Sequence, residues 1–189
     1  MGLTVAFYLD CDDDVLNACA ERMIASVREH MPQADIVHLT MDAAKDKPFG
    51  WRRNAAQSTV EGDAIFVDVD TVFRADVSDV FARDFDIAVC PDMRPGTEGT
   101  RFDGGVAFSR SPQAWRDLAE HLGALDFKRE GADWRPLMEG YTAFLEQRKY
   151  RTLVLPAAIY CRVPDSPDDD LAGAKIVHYR GPRKAWMLQ

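Results

Sequence analysis

Two rhythms of apolar residues alternate along this chain. Short unbroken runs at Leu3 to Leu9, Ile36 to Leu39, Ala64 to Val67, Ile87 to Cys90, Val106 to Ser109, Leu153 to Leu155, Ile159 to Cys161 and Ile176 to Tyr179 predict buried strands. Between them the spacing lengthens. Val15, Cys19, Met23 and Val27, flanked by Leu16, Ala20 and Ile24, form a helical stripe that ends near Pro32, and Asp12 to Asp14 are placed to cap its start. A break over 46–50 precedes a short helix from Trp51 to Val60, and Val77 to Phe81 reads as a helical turn. Ser111 caps a helix that has Pro112 at its first position and runs through His121. From Asp133 onward, Trp134, Leu137, Tyr141 and Phe144 keep helical spacing as a core stripe, with Glu139 on another face. Residues 91–103, rich in Pro, Gly and charge, predict a surface loop of the length that serves as a lid, and 166–170 predict a solvated loop. Strand, helix and strand in this order make parallel βαβ units with right-handed crossovers, so the class is α/β, with a mixed, mostly parallel sheet flanked by helices.

Composition narrows the partners. A chain of 189 residues fits one domain, 1–189. Its formal charge of −8 argues against nucleic acid, which selects a basic face. No run approaches the ~20 apolar residues of a membrane span and the N-terminus lacks a basic start, so a cytoplasmic protein is expected. Cys11, Cys19, Cys90 and Cys161 lack C-x-x-C spacing and suit reduced thiols in or near the core.

The chemistry concentrates at one strand end. The run Ala64 to Val67 leads into Asp68 and Asp70, and alternation along an extended chain points both carboxylates to one side. Like charges that close repel, and a bound cation offsets the cost. The carboxyl end of a central strand is also where an open α/β sheet places its ligand, so a divalent-metal site for a phosphate-bearing ligand is expected. Gly104 and Gly105, at a strand entrance, mark a bulge or a close backbone approach by a ligand, which makes Asp103 before them a candidate contact. Arg52 and Arg53 enter on the helix upstream of the aspartates.

Three segments, FVDVDTVF at 66–73, FDGGVAFSR at 102–110 and HYRGPRKAW at 178–186, together resemble the GT-A-fold glycosyltransferases that use nucleotide sugars, nearest the glycogenin-like and galactosyltransferase-like family 8 group. The last segment carries His178, Gly181, Lys184 and Trp186 at the family's spacing, with Ala185 where proline is usual. The resemblance implies a single GT-A-like, Rossmann-like domain and an enzyme transferring a hexosyl group from a nucleotide sugar, with uridine the preferred base, to an acceptor it does not name. Asp68, Asp70 and His178 would hold Mn²⁺ (or Mg²⁺), one imidazole beside two carboxylates favouring the softer Mn²⁺. Lys184 and the Gly181 amide would hold the diphosphate, and Asp103, Gly104 and Gly105 would line the donor sugar. Arg52, with Arg53 as fallback, would touch sugar and phosphate. Leu9 and Asp10 would face the base, and Glu139 takes the place of the family's acidic helix residue.

Two other classes stay in view. A non-catalytic sugar-nucleotide or glycan-binding module would use the same fold. A haloacid dehalogenase-like phosphatase would use DVDTV as its first motif and would need Asp168 to Asp170 as its late acidic group. The tail adds one dynamic expectation. Unless the acidic site attracts them, Arg180, Arg183 and Lys184 have no fixed counter-charge, so 178–186 would close as a latch over a bound diphosphate.

Overall fold

The computed structural model describes residues 2–41, 47, 49–93, 101–124 and 135–189. Strands β1 (Thr4–Tyr8), β2 (Asp35–Leu39), β3 (Ala64–Val67), β5 (Ile87–Pro91), β6 (Phe102–Ser109) and β7 (Thr152–Val154) form one sheet in the order β2-β1-β3-β6-β5-β7. β1 pairs in parallel with β2 and β3, and β5 with β7, while β6 runs antiparallel to both β3 and β5. The mixed α/β sheet expected from the sequence is therefore present. β4 (Thr71–Phe73) and β8 (Ile176–His178) make a separate antiparallel pair.

Period-two alternation sorts each strand between two cores. Val5, Phe7, Ile65, Val67, Ala88, Cys90, Val106 and Phe108 face the layer of α1 (Asp14–His30), where Cys19, Ala20, Met23 and Val27 form the stripe read from spacing. Asp13 caps α1, its carboxylate accepting from the Leu16 amide at 2.9 Å. Ala6, Tyr8, Ala64, Phe66, Ile87, Val89 and Ala107 face the other layer, built from α2 (Phe49–Gln57), α3 (Pro112–Ala124) and α4 (Arg135–Glu146). There Phe66 meets Trp115 edge-on at 4.8 Å. Tyr141 and Phe144 are core residues as their spacing predicts, and Cys19, Cys90 and Cys161 are buried free thiols while Cys11 is exposed. None of the described helices is long and apolar enough to cross a membrane.

Three local readings change. Ile159 to Cys161 is not a strand: Pro156 at an N-cap starts the short helix α5 (Ala157–Tyr160). β6 begins at Phe102 rather than at Val106, because Cys90 pairs with Asp103 and Pro91 with Phe102 beyond a register shift after Val89. Asp103 thus stands in a strand, and of the expected lid only 91–93 and 101–103 are described; 94–100, like Asp133 and Trp134, lie outside the described residues. Finally, Asp68 and Asp70 are not on alternating strand positions. They occupy the turn between β3 and β4, closed by the Thr71 hydroxyl donating to the Asp68 carbonyl at 2.9 Å.

Candidate active site

The turn after β3 is held against its neighbours by backbone bonds. The Asp68 amide donates to the Gly105 carbonyl on β6 at 2.8 Å, and the Tyr179 amide, just past β8, donates to the Asp70 carbonyl at 2.7 Å. These bonds bring together three segments that are distant in sequence. His178 Nε2 lies 3.2 Å from Asp70 Oδ1 and 3.8 Å from Asp68 Oδ2, and one ligand atom from each of the three residues falls within 4.8 Å of the others. Lys184, at the start of α6 (Lys184–Met187), places its ammonium 2.6 Å from Asp70 Oδ2.

The other face of the imidazole belongs to Asp103 and Cys161. His178 Nδ1 is 3.8 Å from Asp103 Oδ1 and 3.8 Å from Cys161 Sγ. Asp103 is fixed on both oxygens: Oδ1 accepts from the Gly105 amide at 2.8 Å and Oδ2 from Arg180 at 2.7 Å, and Arg180 also donates to the fully buried Asp92 at 3.2 Å. Gly105 is glycine for a packing reason. A Cβ there would lie 2.2 Å from His178 Cε1, so the ring can rest on the strand only where no side chain stands. Gly104 does the same for Arg53, whose Nη2 would lie 2.8 Å from an added Cβ.

Adjacent arginines part company on α2. Arg53 is buried and donates to Asp68 Oδ1 at 3.0 Å. Arg52 instead ion-pairs with Asp10 at the end of β1 and donates to the Tyr8 hydroxyl, which donates in turn to Asp10 at 3.0 Å. About 100° of rotation per helical residue separates the two directions. The Leu9 carbonyl accepts from His38 Nε2 at 2.7 Å. Glu139 pairs with Arg101 at 3.2 Å and keeps 59% of its side chain exposed, apart from the carboxylate cluster. Gly181 adopts a left-handed φ of 66° with open space about its Cα, so its glycine is required by the turn.

The two aspartates differ electrically. Burial works to raise the Asp70 carboxyl, but the His178 charge and hydrogen bond, joined by Lys184, overcome it and hold the group well below the usual carboxylate range. At Asp68, desolvation raises the pKa and the Arg53 and His178 charges offset it only in part, even though one edge, 36% of the side chain, opens to solvent. His178 is pulled the opposite way. Its burial disfavours the imidazolium, yet Asp70, a hydrogen bond with Cys161 and Asp103 drive its pKa well above the ordinary value.

The donor set suits a divalent cation. Two carboxylates and an imidazole offer hard and borderline ligands from three sides. The chain's own groups already stand in, since the His178 imidazole, its pKa driven upward, and the Lys184 ammonium lie against Asp68 and Asp70.

Sequence reading did not single out Arg180, Asp92 or Cys161 for this site. Asp92 follows directly on β5, and an acidic residue at the carboxyl end of a strand was a usable signal. Arg180 lay inside the tail motif, whereas Cys161 had no signal beyond its apolar neighbours. The tail itself is docked: besides the Lys184 and Arg180 pairs, Arg183 donates to the Pro164 carbonyl at 2.6 Å and Met187 is buried in the core. In the acidic group at 168–170, Asp169 accepts from Arg162 at 2.6 Å and from the Asp165 amide at 3.2 Å.

No family model matches this chain, and no curated protein sequence does either. Solved structures do. A glycosyltransferase involved in glycosylation of the major capsid of PBCV-1 superposes with a TM-score of 0.70 at 9% identity, covering 99% of this chain and 98% of that one. The glycosyltransferase GlyE of Streptococcus pneumoniae TIGR4 gives 0.62 at 16% identity, with 97% of this chain spanning 58% of that protein. The galactosyltransferase LgtC, in complex with donor and acceptor sugar analogues, gives 0.54 at 12% identity over 95% of this chain and 87% of that one. The fold of this chain is therefore the GT-A-like α/β fold of these glycosyltransferases.

Proposed function

We propose that this protein is a metal-dependent glycosyltransferase of the family 8 type, moving a hexosyl group from a UDP-sugar to an acceptor hydroxyl. One observation carries the reading: Asp68, Asp70, His178 and Lys184, drawn from two distant segments, meet at the carboxyl end of β3. In the reaction the bond from the anomeric carbon to the diphosphate oxygen breaks, its electron pair leaves with the nucleoside diphosphate, the acceptor oxygen forms the new bond to that carbon, and the hydroxyl proton passes to the leaving diphosphate. The barrier falls when fixed positive charge meets the charge growing on the leaving oxygen.

Asp68, Asp70 and the deprotonated Nε2 of His178 would hold Mn²⁺. That cation supplies Lewis-acid charge to the diphosphate without proton transfer. Lys184, displaced from Asp70, turns its ammonium to the leaving phosphate. Arg53 takes the role expected of Arg52, because it reaches Asp68 and lies along Gly104 where a donor sugar would sit. Arg180 holds Asp103 in place through Oδ2 at 2.7 Å, beside that sugar. Arg52 and Tyr8 fix Asp10 for the base, with Leu9 beside it. Glu139, paired with Arg101, stays at the place of the family's acidic helix residue.

A thermal-shift series with UDP, Mn²⁺ and both together tests this. A ligand that binds only the native state stabilises it by mass action, so the combination should raise Tm by more than the two separate shifts added. The same rise in EDTA would defeat the metal site. A donor panel with product NMR then separates transfer from a module that binds UDP and Mn²⁺ but turns over no nucleotide sugar.

A further inference from the structure

The His178 ring has a second edge, and its surroundings differ in kind from the first. Nε2 faces two carboxylates, whereas Nδ1 faces a carboxylate and a thiol. Asp103 Oδ1, Cys161 Sγ and His178 Nδ1 fall within 4.8 Å of one another and all three residues are buried. Cys90, buried on β5 and paired across the sheet with Asp103, is hydrogen-bonded to the Cys161 thiol. We infer that Asp103, Cys161 and His178 Nδ1, with Cys90 alongside, form a second cation site that takes a thiophilic divalent ion of the Zn²⁺ class.

The spacing supports it. Zinc bonds of about 2.0–2.3 Å in a tetrahedron set neighbouring ligand atoms roughly 3.3–3.7 Å apart. The two measured separations from Nδ1 are both 3.8 Å, so small side-chain adjustments bring the donors onto one ion. A thiolate selects Zn²⁺ over Mn²⁺ or Mg²⁺, while the paired carboxylates on the opposite edge favour the harder ions. The outer partners are also present. Arg180 holds Asp103 Oδ2 at 2.7 Å and the Gly105 amide orients Oδ1, the kind of support that fixes a ligating carboxylate.

The two edges exclude each other. A neutral imidazole offers one acceptor nitrogen, so a cation on Nδ1 leaves the proton on Nε2, where it points to Asp70. Zinc-class binding would then deprive the carboxylate pair of its nitrogen and oppose Mn²⁺-dependent nucleotide binding. This antagonism rests on the function proposed above, whereas the second site itself does not.

Zinc K-edge X-ray absorption on the reduced wild-type protein, loaded with one equivalent of Zn²⁺, reads the ligand shell directly. One sulfur at about 2.3 Å, from Cys161, is expected. A shell of nitrogen and oxygen alone overturns the site, and because the wild-type chain is measured no variant has to fold. Co²⁺ loading should give a thiolate charge-transfer band that persists in Cys11→Ser, Cys19→Ser and Asp68→Asn. It should vanish in Cys161→Ser, with Zn²⁺ affinity lowered on the order of 100-fold as for loss of a ligand or its support. A band that survives Cys161→Ser assigns the sulfur elsewhere and overturns the proposal. The Asp68→Asn arm keeps this result distinct from failure of the Mn²⁺ site.

Discussion

Two ionic clusters in this protein use the same chemistry in opposite settings. On the surface, Asp117 of α3 accepts from Lys149 and, at 2.6 Å, from the Tyr150 hydroxyl, and Gln113 donates at 2.6 Å. The Lys149 and Tyr150 bonds hold the Asp117 carboxyl down at about 2. Asp117 finds these partners on its own helix and on the chain just beyond α4. At the strand ends, Asp68, Asp70, Asp92 and Asp103 meet Arg53, Arg180, Lys184 and His178, whose pKa the carboxylates drive upward. Two of those groups are exchangeable, since the imidazole can give up a proton and a flexible ammonium can leave, while the guanidiniums of buried Arg53 and part-buried Arg180 stay. Paired charges on a surface join elements weakly, whereas enclosed ones hold a charge pattern ready for an exchange.

The sharpest break between the clusters should come from Asp70. Asp70→Asn is expected to abolish Mn²⁺-dependent UDP binding, by 100-fold or more in titration calorimetry, while Asp117→Asn leaves it unchanged. Asp70→Asn should also cost on the order of 3 kcal/mol in denaturant unfolding, because it leaves His178 and Lys184 enclosed without their carboxylate. Asp68→Asn should remove UDP binding equally and keep or raise Tm, since desolvation already lifts that carboxyl. Equal stability losses from both variants would refute the electrical difference between the two aspartates.

Next in size is the arginine pair. Arg53→Ala should lower transfer roughly 100-fold, the scale of losing one fixed positive group at a developing charge. Arg52→Ala should act mainly on nucleotide KM, through Asp10 and Tyr8. The reverse ranking in steady-state kinetics would return the sugar-phosphate role to Arg52.

Proton linkage is smaller and has a defined sign. His178 is raised in the folded protein, and Mn²⁺ needs its Nε2 without a proton, so binding below that raised pKa must release one. Mn²⁺ affinity should therefore climb with pH, by up to tenfold per unit, until His178 deprotonates unaided. Calorimetry in buffers of different ionisation enthalpy counts the proton, and a count of zero near neutral pH contradicts the protonated resting state.

The smallest effect belongs to the surface. Asp117 is depressed on folding, so its stabilisation is present above the unfolded carboxyl pKa of about 3.9 and fades as pH falls through about 2. Asp117→Asn should cost about 1 kcal/mol or less at pH 7 and nothing measurable at pH 2. A penalty that persists at pH 2 would mean that packing, rather than charge, is what the substitution removes.

Much of this molecule could be read along the chain, for reasons visible in particular residues. Runs such as Ala64 to Val67 are apolar at every position because both faces of β3 are covered, and the α1 stripe repeats because one face meets the sheet. Asp68, Asp70, His178 and Lys184 were legible as motifs because short-range spacing suffices to mark them. Their meeting was only implied by resemblance. Arg53 over Arg52 turns on which way a helix face points, and that depends on how α2 seats against the sheet. Ile159 to Cys161 looked like a strand because a short apolar run carries no period of its own, and Pro156 decided for a helix.

What the sequence determined by itself was the α/β succession, the two-sided burial of the central strands and the presence of acidic, basic and imidazole groups at element ends. Hydrophobic period and local capping act within a few residues, so they are written locally. What only the tertiary structure decided was the pairing of those groups across long separations: Asp68 with Arg53, Asp70 with His178 and Lys184, Asp103 with Arg180, and the thiol of Cys161 at the far edge of the imidazole. Electrostatic interaction depends on distance and on exclusion of water, and both are set by the packing of β3, β6 and β8 rather than by position along the chain.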